Sequence, residues 1–145
     1  MSEPQNFKNH GRVVPIYHVG VFFPFAANFF WAIYRMWHAG VNGESIIGLI
    51  MAIALVLLFV SVRGQILTVQ DRVIRLEMQL RLARVLPADL QAQISRLEVK
   101  QLVALRFASD AELPALVRDV LAGKLGTQKE IKMQVKDWQA DYQRA

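Results

Sequence analysis

Apolar positions fall into three regimes along the chain, and each predicts a different kind of helix. Residues 13 to 34 (VVPIYHVGVFFPFAANFFWAIY) and 46 to 62 (IIGLIMAIALVLLFVSV) contain no Asp, Glu, Lys or Arg. A bilayer core of about 30 Å takes about 20 apolar helical residues; the first run is long enough, and the second reaches that length with its flanks. Two membrane-crossing helices are expected, over 13–37 and 45–63, as a hairpin. From 64 to 86 the pattern changes. Ile66, Val69, Val73, Leu76, Leu80 and Ala83 recur at alternating spacings of three and four, the repeat of an amphipathic or coiled-coil helix. Leu67, Ile74, Met78 and Leu82 add a flanking row, which makes the apolar face wider than a two-stranded seam needs. This predicts a stem helix, with Gly64 as a loosening point, that packs on more than one partner helix.

Pro87 suits a first helical turn and not a helix interior, so it closes the stem and opens the tail. Residues 86 to 108 predict two short helices meeting near Arg96 to Val99. Ser109-Asp-Ala-Glu112 reads as a capping box that starts a helix to about Ala122, with Gly123 and Gly126 ending it. Thr127-Gln-Lys-Glu130 reads as a second capping box, opening a last helix to about Tyr142. A small core is expected from Leu86, Leu90, Ile94, Leu97, Leu102, Leu105, Phe107, Leu113, Leu116, Val120, Leu121, Ile131, Val135 and Trp138. The pattern carries no strand, repeat or low-complexity signal. The expected fold class is all-α: an N-terminal segment 1–12, a transmembrane hairpin 13–63, a stem 64–86 and a cytoplasmic tail 87–145.

Within the first span, Pro24 predicts a kink, and Trp31, Tyr34 and Trp37 form an aromatic belt toward the outer end. Asn42-Gly43 predicts the tight turn between the spans. The apolar core of a cleaved signal peptide is typically about 7 to 15 residues behind a basic start. This run is longer and follows twelve mostly polar residues, so an uncleaved span is expected.

Composition agrees: 54% apolar residues and a mean hydropathy of +0.26 exceed an ordinary small soluble domain. Charge supplies orientation. Lys8 and Arg12 precede the first span, and Arg63, Arg72 and Arg75 follow the second, whereas the loop from Trp37 to Ser45 has no Lys or Arg. The positive-inside bias therefore predicts both termini in the cytoplasm, with Arg35 as a dissenting charge that snorkels to the headgroups. No cysteine is present, which removes disulfides, thiolate nucleophiles and thiolate metal sites.

The pI near 9.9 raises the question of nucleic acid. In QDRVIRLEMQLRL, residues 70 to 82, Asp71 and Glu77 interrupt the arginines and no aromatic residue lies among them. Nucleic-acid surfaces tend to be one-signed and to carry stacking side chains. Anionic headgroups account for these arginines, so membrane lipid is the expected partner and nucleic acid is not. Metal and acid–base chemistry rest on His10, His18 and His38. His18 and His38 are twenty residues apart, about 30 Å along a helix, and cannot share a metal. Asn28 at mid-span is expected to hydrogen-bond a neighbouring helix. His38 and Glu44 in the loop are a weak catalytic pair, and GxSxG, HExxH and glycine-rich phosphate motifs are absent. An enzyme is not expected, nor a resident cofactor or metal.

QNFKNH with Arg12 and Pro15, VQDRVIRLEMQLRLARVLPADL, and KQLVALRFASDAELPALV together resemble a family of small bacterial membrane proteins known as a domain of unknown function. The resemblance spans nearly the whole chain. It implies a two-helix membrane hairpin with a helical cytoplasmic tail and a bacterial origin, and, the family having no assigned activity, it supplies no catalytic residues to carry over. The expected function is a non-enzymatic accessory or scaffolding subunit of the bacterial inner membrane. Its interaction face would be Ile66, Val69, Val73, Leu76 and Leu80, offered to a protein partner or a second copy. The alternative is a cofactor-binding or proton-handling subunit using His18, Asn28 and Arg35.

Overall fold

The computed structural model describes residues 6–7 and 14–141. The described residues from 14 onward form two units, divided between Leu67 and Thr68. No strand occurs among the described residues, and the fold class is all-α as expected. Lys8, His10 and Arg12 lie outside the described residues.

The first unit opens with a π-helical stretch, Ile16–Val21, continuing into α1, Phe22–Ala39. The Phe22 N–H reaches back five residues to the Tyr17 carbonyl. Pro24 has no N–H and crowds the carbonyl one turn earlier, and a widened turn upstream absorbs that mismatch. The disturbance expected mid-helix thus appears as a change of winding ahead of Pro24. α1 ends at Gly40, whose φ of 78° favours glycine. The Ser45 N–H then donates to the Asn42 side-chain oxygen (2.9 Å) and the Asn42 N–H to Ser45 Oγ (3.0 Å). Asn42-Gly43 was expected to make the turn; instead Gly40 makes it, and Asn42 caps the next helix.

That helix, α2, runs from Gly43 to Val85 without a break. Gly64 lies inside it, so the expected loosening point is wound like its neighbours. At 1.5 Å per residue α2 is about 64 Å long, twice a bilayer core. Ile16–Ala39 and Gly43–Val85 are both long and apolar enough to cross a membrane.

In the second unit, Ile74, Met78 and Leu82 of α2, and Leu86 just beyond its end, enter the core. Short elements follow: α3 (Ala88–Gln91), a 3-10 turn (Ile94–Arg96), α4 (Val99–Leu105), α5 (Leu113–Leu121) and α6 (Gln128–Gln134). Most of the expected core residues are buried, and Ile94, Leu121 and Val135 pack partly buried at its edge. Val117 and Leu125, absent from that expectation, are buried as well. Leu125 lies in the connection between α5 and α6, where no helical period marks it, and Val117 stands beside Leu116 in a nine-residue helix too short for the pattern to fix which neighbour faces inward.

Two helix boundaries depart from expectation. Ser109 and Glu112 do not form a reciprocal cap: the Ser109 hydroxyl donates to the Glu112 carboxylate at 3.2 Å, and α5 starts only at Leu113. Pro114 occupies its first turn, where a missing N–H costs nothing. α5 ends in a Schellman arrangement, Lys124 N–H to the Asp119 carbonyl (3.0 Å), around Gly123 at φ 76°. The Thr127–Glu130 cap does form, at 3.2 Å and 3.0 Å. α6 stops at Gln134 rather than near Tyr142. Beyond it the chain is extended: the Gln139 N–H donates to the Phe107 carbonyl (2.7 Å), and Ala108 and Trp138 form an isolated antiparallel bridge. The Trp138 ring stacks on the buried Phe107 ring, 4.4 Å between centroids, and that stacking area outcompetes another helical turn.

Candidate functional site

The two apolar rows of α2 separate. Ile74, Met78 and Leu82 are buried against the tail (5%, 3% and 0% exposed), whereas Val69, Val73, Leu76 and Leu80 stand 48% to 69% exposed. Ile66, one turn earlier, is 42% exposed. The successive turns of a helix place residues 74, 78 and 82 on one side and 69, 73, 76 and 80 on nearly the opposite one. The unusual width of the apolar face is therefore two faces. The tail covers Ile74, Met78 and Leu82 of the flanking row, whose first member Leu67 stays 38% exposed, and leaves the heptad row uncovered.

Arg81 locks the tail onto its side of the helix. Its guanidinium donates to the carbonyls of Arg106 (3.1 Å) and Ala108 (2.7 Å) and pairs with Asp110 at 2.7 Å. Partners 25 to 29 residues away hold it within the module, so it is not a free headgroup-facing charge. Arg72 and Arg75 are exposed. Glu112 makes a second long-range tie, its carboxylate accepting from the Lys136 N–H (3.0 Å) and the Asp137 N–H (3.2 Å). Partial burial pushes this carboxyl up. The N–H groups of Lys136, Asp137 and Ser109 and the Ser109 hydroxyl outweigh burial and hold it below the ordinary carboxylate value. A groove of about 610 Å³ between α5 and α6 includes Glu112, Asp119 and Lys124. Glu112 is occupied as described, and Asp119 and Lys124 pair at 2.8 Å, so these groups satisfy one another.

In the first unit, the Tyr17 hydroxyl donates to the Phe59 carbonyl (2.5 Å) and its ring stacks on the Phe59 ring at 4.3 Å. The Arg63 guanidinium lies 5.9 Å from the Tyr17 ring, in reach of a cation–π interaction. His18 is engaged locally: Nδ1 lies 3.1 Å from the Val14 N–H and 3.0 Å from its carbonyl. Arg35 pairs with Glu44 at 2.6 Å. His38, considered as a partner for Glu44, lies against the Tyr34 ring instead, at 4.3 Å. Asn28 is exposed and has no hydrogen bond among the described residues; it lines a cavity of about 70 Å³ with Trp31, Ala32, Arg35, Glu44 and Ser45. Asn28 was expected to bond the second helix or another subunit; within the chain no side-chain bond to α2 is made among the described residues. Asn28 and Arg35 share this cavity, while His18 is about 25 Å along the helix from Arg35. Among the described residues no group of three or more His, Asp or Glu is placed to hold a metal.

No curated protein and no solved structure matches the chain. One family model, described as a family of unknown function, covers residues 1–145. Matched over its whole length by that model, the chain belongs to the family of unknown function DUF6526.

Proposed function

We propose that this chain is a non-enzymatic membrane protein of the bacterial inner membrane, an accessory or scaffolding subunit that holds a helical cytoplasmic module at the bilayer. The hairpin of 13–37 and 45–63 spans the membrane, with both termini in the cytoplasm. The observation that carries the reading is the division of α2: one apolar row is consumed by the chain's own tail, and the other, Ile66, Val69, Val73, Leu76 and Leu80, is left exposed. An exposed apolar stripe beside one that is already buried is the signature of a docking face. The charge-free runs, the arginines after the second run and the bare loop support the topology.

The chain has no cysteine, so single cysteines report topology without background. A cysteine at Val41 should react with a membrane-impermeant maleimide in intact spheroplasts, and one at Ser2 or Ala145 only after lysis. Labelling of both termini from outside, or recovery of the protein in the soluble fraction, would refute the reading.

A further inference from the structure

We infer that the exposed row of α2 is the seam of a parallel two-stranded coiled coil with a second copy of this chain. The inference rests on the membrane reading above and adds the identity of the occupant. Val69, Val73, Leu76 and Leu80 follow spacings of four, three and four, and Ile66 continues the pattern in sequence. That places Ile66, Val73 and Leu80 at the first position of successive heptads and Val69 and Leu76 at the fourth. An average period of 3.5 suits a helix running alongside over its length rather than a globular surface. β-Branched residues at two of the three first positions and Leu76 at a fourth favour two strands.

Charge selects the partner and the direction. Arg72 precedes the first-position Val73 and Glu77 follows the fourth-position Leu76, both on exposed flanks of the seam. In a parallel pair such flanking residues meet five positions apart, so Arg72 of each copy faces Glu77 of the other, twice by symmetry. A copy of the chain supplies that complement without further assumption. Two copies inserted with the same topology also point α2 the same way, which makes the pair parallel. The seam covers only about two heptads, short for an isolated coiled coil. Confinement of both helices in one membrane raises their effective concentration and removes much of the orientational cost.

The test uses the full-length, cysteine-free chain in native-host membranes. Single cysteines at Val69, Val73, Leu76 and Leu80 are oxidised and scored for a disulfide-linked homodimer, with Arg75, exposed but off the seam, as the control position. Homodimer at the seam positions with at least about tenfold less at Arg75 is expected, because in-register parallel strands bring like positions together. Arg72→Glu should lower crosslinking through Leu76→Cys roughly tenfold, and the double exchange Arg72→Glu with Glu77→Arg should restore it. Equal crosslinking at seam and control, crosslinking only to another protein, or charge reversal without rescue each overturns the proposal. Loss of the dimer with maleimide topology intact removes the seam alone, whereas failed topology removes the function reading.

Discussion

Arg81 and Glu112 each tie together segments more than twenty residues apart, and at this scale single side chains decide whether the tail stays docked. Arg81→Met leaves two carbonyls short of a charged donor, and a cost of about 2 kcal/mol is expected in urea unfolding of the module. Arg81→Lys keeps the charge but loses the planar fork, and should recover less than half of that. Glu112 adds a pH dependence. Its folded carboxyl sits below the ordinary value of 4.5, so its contribution is complete above that pH and is lost as pH falls through the lowered folded value. Glu130, held down by the Thr127 and Gly126 N–H groups, follows the same sign. Acid titration followed by near-UV circular dichroism should show the Glu112→Gln module losing less of its stability on acidification than the parent. Neither long-range role was legible in the sequence. Ser109 and Glu112 looked like a local cap because spacing reports neighbours on one helix; the carboxylate does bond Ser109, but it also reaches partners 24 and 25 residues downstream.

The elements themselves were largely legible, and the exceptions are instructive. Thr127 and Glu130 cap α6 as their spacing requires, so Thr127→Ala should destabilise the module by about 1 kcal/mol. α2 was visible as a helix, but which of its apolar rows faces the core was not. Two leucines two residues apart make the distinction measurable. Leu82 is fully buried and Leu80 is 69% exposed. Leu82→Ala should cost about 3 kcal/mol in module unfolding and Leu80→Ala less than about 0.5 kcal/mol. Equal losses would mean that the tail closes on the other row. The early end of α6 was also hidden, because Trp138 has the same apolar weight in a helix as in the non-helical segment whose isolated bridge sets it against Phe107.

For the whole molecule, the tail acts as a cover that leaves one helix face free. Removing residues 87–145 would expose Ile74, Met78 and Leu82 alongside the heptad row. Chemical crosslinking of that truncation in membranes should then give species larger than the dimer expected of the full chain. If the truncated and full-length chains crosslinked identically, the tail would not be limiting association.

The sequence alone determined the helical class, the two apolar runs long enough to cross a bilayer, and the α6 cap, because these depend on composition and on spacing within a turn or two. Tertiary structure alone decided that Ile74, Met78 and Leu82 turn inward while Val69, Val73, Leu76 and Leu80 stay exposed, that Arg81 binds tail carbonyls, and that Glu112 captures the backbone at Lys136 and Asp137. Two apolar rows on one helix have nearly equal transfer free energy. Only the shape and polar groups of the segment that packs against them choose between the two.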